Sequence, residues 1–171
     1  MATVKGTHAT NYTASPQVRE PAHSFGGIVR ESVSLVVIAA DESASNDLIA
    51  CRVPSNARVS QVLLSYADAT TGGAIDVGVW QEVATAPGTF EAVDDDLFAS
   101  AMVLTDGPQW NKDITNESAE YTAAEQAMPL WQVLGLTTDP KKDYWIGSDI
   151  TTVCDGCSTV GILYKVKYVS H

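Results

Sequence analysis

Basic residues are scarce in this chain. Of 171 residues, ten are Lys or Arg against 21 Asp or Glu, a formal net charge of −11. The cations are spread thinly from Lys5 to Lys167, so they form no stripe able to neutralise a phosphate backbone, and nucleic acid is excluded as an expected partner. The same balance keeps a surface soluble and repels anionic membranes. Long apolar runs are missing too: nothing approaches the roughly 18 residues of a membrane span. The opening "MATVKGTHATNYTASP" lacks the apolar stretch of a secretory signal, which leads to the expectation of synthesis in a cytoplasm and no membrane partner.

Cysteine and histidine are equally sparse. Three cysteines, an odd count, do not make a disulfide framework, and in a reducing compartment they read as thiols. His8, His23 and His171 lie near the chain ends, which leaves a nucleophile–base–acid arrangement without a base in the core. The sequence has no GxSxG elbow and no GxGxxG or GxxxxGK phosphate loop. No catalytic residue, cofactor or metal is expected.

What is present is a globular composition, with 45% hydrophobic and 18% charged residues. A chain of this length forms about one domain and buries roughly two-thirds of its unfolded surface without a staple. Residues 1–27 are polar, carry Gly6, Pro16, Pro21, Gly26 and Gly27, and show neither a period of 2 nor of 3.6. They read as an extended N-terminal arm, ahead of a single β-sandwich domain over 28–171.

From Ile28 the pattern turns to alternation. "GIVRESVSLVVIAA" puts Val33, Leu35 and Val37 on one face, and "NDLIACRVP" puts Ile49, Cys51 and Val53 together, so Cys51 reads as a core residue. "ARVSQVLLSYADA" aligns Val62, Leu64 and Tyr66, with Gly72-Gly73 as the following turn, and "AIDVGVWQ" sets Ile75, Val77 and Val79 against Asp76, Gly78 and Trp80. "DDDLFASAMVL" reads as a short helix: Asp94–Asp96 suit its N-terminus, and Leu97, Phe98, Ala101 and Met102 fall at helical spacing. The alternative role for the three acids, a calcium loop, lacks alternating ligands and a glycine. A second helix is expected at "MPLWQVLGL", between Pro129 and Gly135. Strands return in "DYWIGSDITT" and "TVGILYKVKYV". About seven or eight strands without strand–helix alternation indicate an antiparallel sandwich of jelly-roll or immunoglobulin-like type, with one or two short helices.

Between the last two strands stands "VCDGCST", Val153–Thr159. A pair of cysteines two apart is half of a zinc site, a redox dithiol, or the flank of a turn. Zinc would have to recruit His8, His23, His171 or Cys51, and a thioredoxin-type dithiol opens a helix, which this pair does not. Asp155-Gly156 is itself a hairpin signal. A three-residue loop there would set Ile150 opposite Ile162, Ile146 opposite Val166 and Tyr144 opposite Tyr168, gathering the apolar set on one face. The expectation is a hairpin turn with reduced cysteines and no metal.

Several phrases carry a resemblance, in order along residues 1–169: "MATVKGTHATNY", "AIDVGVWQ", "DDDLFASA", "NESAEYTAAEQAMPLWQVLGLTTDP" and "DYWIGSDIT…GILYKVKYV". Together they resemble the small head proteins that tailed bacteriophages encode near their major capsid protein, among them capsid decoration (cement) proteins. The resemblance implies a β-sandwich or jelly-roll protein on the outer surface of an icosahedral head, made in the host bacterial cytoplasm. It further implies a homotrimer that clamps neighbouring major capsid protein subunits, and no catalytic residues. On this reading the arm reaches across a subunit boundary, and Tyr12, Trp80 and Trp110 are the candidate interface residues. The alternative is a head-fibre or tail-associated sandwich that recognises host glycans through Trp80, Trp110, Trp131 and Trp145.

Overall fold

The computed structural model describes residues 27–37, 46–67, 71–155 and 161–170. Eight strands run through them: β1 (Ile28–Val37), β2 (Asp47–Pro54), β3 (Arg58–Tyr66), β4 (Thr71–Glu82), β5 (Phe90–Val103), β6 (Gln109–Asp113), β7 (Asp143–Asp155) and β8 (Gly161–Ser170). A 3₁₀ turn, Glu125–Ala127, and a single-turn helix α1, Leu130–Val133, precede β7. The strands form two antiparallel four-stranded sheets, the first in the order β1-β8-β3-β6 and the second β2-β7-β4-β5. The fold is an all-β sandwich with little helix. Of the consecutive strands, β4 and β5 alone share a sheet; every other step along the chain crosses from one sheet to the other.

The alternating sets named in the sequence form the core. Val62, Leu64 and Tyr66 of β3 meet Ile75, Val77 and Val79 of β4, Tyr144, Ile146 and Ile150 of β7, and Ile162, Tyr164 and Val166 of β8, all buried in one cluster. Cys51 is fully buried among them, as expected. One polar bridge spans the core: the hydroxyls of Ser148 on β7 and Tyr164 on β8 lie 2.7 Å apart, both fully buried. Each satisfies the other where no water reaches, and burial pushes the Tyr164 phenol well above its ordinary range.

The structure corrects the hairpin. β7 pairs with β2 and β4, while β8 pairs with β1 and β3, so Ile150 and Ile162 enter the core from opposite sheets. An alternating pattern fixes which face of a strand is buried, and two strands with matching apolar faces satisfy it equally side by side or across the sandwich. The Gly156 turn and Cys157 lie outside the described residues, and of Cys154 the backbone alone is placed, in β7.

The expected helix over Asp94–Met102 is also replaced by strand. In β5 the chain moves five positions, from Asp94 to Ala99, while β4 moves only two, from Val79 to Val77. Such bulges turn consecutive side chains inward, so Leu97, Phe98 and Ala99 are all buried, a run that fits neither a strand nor a helix period. Asp94–Asp96 therefore cap no helix. β2 has the same feature on a smaller scale: a register break between Ile49 and Cys51 buries Ala50 and Cys51 in succession. Gly72 and Gly73, expected as a turn, lie inside β4 with φ of +66° and +95°.

The helix at Pro129 is present, with Gly135 just beyond it at φ +74°. It closes one end of the sandwich: Leu130 is buried, its N–H donates to the Ala57 carbonyl at 2.8 Å, and the Trp131 N–H donates to Ser55 at 3.0 Å. Tyr121 seals the neighbouring gap, its hydroxyl donating to the Val59 carbonyl at 2.6 Å and its ring meeting Phe98 edge to face at 5.0 Å. No helix among the described residues is long and apolar enough to cross a membrane.

Candidate functional site

The sandwich offers its two outer faces, and they differ in chemistry. Strands of the first sheet carry five cations (Arg30, Arg58, Lys112, Lys165, Lys167) and two acids (Glu31, Asp113); strands of the second carry one cation, Arg52, and ten acids. Among the strands, negative charge is thus gathered on the second sheet.

On the first sheet, Lys165 and Lys167 project outward from β8 into a polar network. Lys165 Nζ donates to Asn111 Oδ1 at 2.9 Å, Lys167 Nζ to Gln61 Oε1 at 3.1 Å, and Gln61 Nε2 to Asp113 Oδ2 at 2.8 Å. Burial raises the Asp113 carboxyl, but hydrogen bonds from Gln61 and Thr115, with the Lys167 charge, outweigh it and hold the group below its ordinary value. Glu31 and Leu63 complete this shallow depression. Beside it runs an apolar row on β1: Val29, Val33, Leu35 and Val37 are exposed by 69, 51, 62 and 61%. The sequence put Val33, Leu35 and Val37 on one face, and that face looks outward. Ser32 and Ser34 point the other way and are half-buried.

The second sheet is anionic across three strands. Asp149 of β7 lies directly opposite Asp47 on β2 and Asp76 on β4. Its Oδ1 is buried without a hydrogen-bond partner. Burial first, then the charges of Asp47, Asp76 and Asp95, raise its carboxyl above the ordinary value. Two pairs along, on the same face, Gly78 and Gly147 oppose each other, and the edge strands come close over that spot. A Cβ on Gly78 would lie 2.0 Å from the Asp94 carbonyl oxygen, and one on Gly147 2.5 Å from that of Leu48. The bulge of β5 thereby lays its acids over the sheet. The carboxylate oxygens of Asp94, Asp95 and Asp96 fall within 4.8 Å of one another. Burial, followed by Asp96, Glu120 and Asp95, raises the Asp94 carboxyl. Three clustered carboxylates are the hard oxygen donors a divalent cation takes, though solvated acidic faces carry the same groups without one.

The three candidate interface aromatics separate. Tyr12 lies outside the described residues. Trp80 is fully buried, with its indole nitrogen enclosed and unpartnered, so it offers no surface and is corrected to an interior residue. It sits in β4 between Ala92 of β5 and Trp145 of β7; alternation gave its face but not its burial. Trp110 is 74% exposed on β6. The tryptophans do not line one platform either: Trp80 and Trp145 are cross-strand neighbours in the second sheet, Trp110 is in the first, and Trp131 is in α1. Trp145 meets Phe90 edge to face at 5.4 Å, beside the Arg52–Asp143 ion pair and Lys142. Sequence reasoning missed the exposed row of β1, whose alternation was visible but whose inner and outer sides were not.

No protein-family model matches the chain, and no curated protein does. Among solved structures, the chain overlays on one described as "Cyanophage Pam1 capsid asymmetric unit" at a TM-score of 0.44 and 17% identity, covering 93% of this chain and 98% of that one.

Proposed function

We propose that this chain is a virion structural protein that binds the outer surface of an icosahedral phage head and stabilises contacts between capsid subunits. The observation that carries the reading is the ordered series of phrases from residue 1 to residue 169 that resembles phage head decoration proteins. Strand order supports it independently: β1-β8-β3-β6 over β2-β7-β4-β5 is the order of an eight-stranded jelly roll, an architecture that recurs in viral capsid domains. The proposed activity is non-enzymatic, with the major capsid protein as partner and, as the resemblance implies, a homotrimer as the bound form.

Stabilisation would follow from mass action. A protein that binds the assembled lattice and not its dissociated subunits shifts the equilibrium toward the lattice by its differential affinity. Trp110, exposed on β6, is a suitable anchor, because aromatic side chains buried at the centre of a contact dominate binding energy. The arm, residues 1–27, would extend the footprint across a subunit boundary; extended chain spans at most about 3.3–3.6 Å per residue, so it can reach well beyond the sandwich. Deleting residues 1–20 tests this directly. The proposal expects lower occupancy on heads and lower resistance of the particle to heat. Unchanged occupancy and heat resistance would remove the arm from the account.

A further inference from the structure

One end of the second sheet gathers charged side chains around an indole. Arg52 near the end of β2, Glu82 at the end of β4, Asp143 and Trp145 at the start of β7, and Lys142 just before it line a cleft of about 330 Å³. That volume falls within the range of ligand pockets, roughly 300–1,000 Å³. Trp145 is directly opposite Arg52 across the β2–β7 pair. Its neighbours Tyr144 and Ile146 are buried in the core, so alternation turns the indole to the outer face beside the guanidinium. Each lining group is already held in place. Phe90 meets Trp145 edge to face at 5.4 Å, and Asp143 pairs with Arg52. Lys142 donates to Gln81 and stands 4.8 Å over the Tyr144 ring, while Glu82 accepts from the Gly88 N–H at 2.8 Å. Groups fixed in advance lose little freedom when a ligand arrives.

We infer that this cleft binds a neutral saccharide, with one pyranose ring stacked on Trp145 and its hydroxyls shared among Arg52, Lys142, Glu82 and Asp143. Charge decides the class of ligand. Two cations stand against two carboxylates, so the lining is neutral in a chain of net charge −11. A phosphate or other anion would meet Glu82 and Asp143, and a metal ion would meet Arg52 and Lys142. A planar apolar molecule would cover the indole but leave four charged groups desolvated without new partners. A sugar hydroxyl both accepts and donates, so it can take a hydrogen bond from a guanidinium or ammonium and give one to a carboxylate. The C–H face of the same ring is apolar and suits the broad face of an indole. This site is on the other sheet from Trp110 and goes beyond the capsid-binding reading without depending on it.

The test is saturation-transfer NMR on the full-length chain with the methyl glycosides of glucose, galactose, mannose and N-acetylglucosamine, each titrated alone, and with inorganic phosphate as competitor. At least one glycoside should bind saturably, with a dissociation constant on the order of 1 mM for so small a ligand. Transfer should be strongest at the C–H protons of one ring face and indifferent to phosphate. Trp145→Ala should abolish it. Arg52→Ala, at a side chain 64% exposed, should weaken binding roughly tenfold and leave the thermal melt unchanged; where Trp145→Ala fails to fold, Arg52→Ala carries the test alone. No saturable transfer from any of the glycosides, transfer that survives the substitutions, or competition by phosphate overturns the inference. Failure of the protein to bind heads would leave this site intact and refute the functional reading instead.

Discussion

Gly78→Ala should be among the most damaging single-methyl additions to this fold, and its size can be worked from the geometry. The added Cβ would stand 2.0 Å from the Asp94 carbonyl oxygen, 2.4 Å from the Asp95 carbonyl carbon and 2.6 Å from its oxygen. Ordinary contact is roughly 3.5 Å, so the β5 backbone would have to withdraw by about 1.5 Å. Overpacking against side chains that can rotate costs about 1–3 kcal/mol, and here backbone must move, which puts the cost at about 3 kcal/mol or more. For a chain of this size that lowers Tm by about 6–12 °C. Gly88→Ala is the control. Gly88 has φ +82° with nothing within 4 Å of its Cβ position, so only the left-handed backbone cost of about 1–2 kcal/mol applies. Thermal melts followed by far-ultraviolet circular dichroism compare the two. Equal shifts, or a Gly78→Ala shift under about 2 °C, would mean that the acidic segment of β5 does not lie over the second sheet, and the account of that face would fail.

Other perturbations separate the core from the surface. Tyr164→Phe leaves the buried Ser148 hydroxyl without its partner at 2.7 Å and should cost about 1–3 kcal/mol, measured by urea denaturation; the double variant with Ser148→Ala should recover part of that loss. Asp149→Asn should raise Tm at neutral pH. The carboxyl's folded-state pKa is raised by burial and then by Asp47, Asp76 and Asp95, so its contribution is favourable below the ordinary Asp value and is lost as pH rises through the raised one. The gain from Asn should accordingly shrink to nothing as pH falls through that window, and a gain independent of pH would contradict the electrostatic origin. Trp110→Ala, at a residue 74% exposed, should change stability by less than about 0.5 kcal/mol while lowering occupancy on heads in a sedimentation assay. Unchanged occupancy would remove Trp110 as an anchor.

Much of this fold is written in period-2 alternation. Val62, Leu64 and Tyr66, or Ile75, Val77 and Val79, could hardly be anything but half-buried strands, and the structure buries all six. What alternation omits is the identity of the neighbour, which is why Ile150 and Ile162 read as a cross-strand pair although they face the core from different sheets. Bulges defeat it in another way: three buried residues in a row at Leu97–Ala99 belong to neither simple period. Surface is harder still. Trp80 and Trp110 are the same residue type in strand contexts, yet the first is fully buried and the second is 74% exposed. The short β6, "QWNKD", has too few residues to display a period at all. The anionic face was legible only as composition, because the opposition of Asp47, Asp149 and Asp76 is a property of pairing between strands far apart in the chain.

The central claim is that the chain coats a capsid lattice, and copy number per particle tests it most directly. Purified heads that carry the protein can be imaged by cryo-electron microscopy and their composition counted by quantitative mass spectrometry. The account predicts density for this sandwich on the outer surface at every equivalent lattice position, with copies in fixed proportion to the major capsid protein. A handful of copies confined to a vertex, fibre or tail, or none at all, would contradict it.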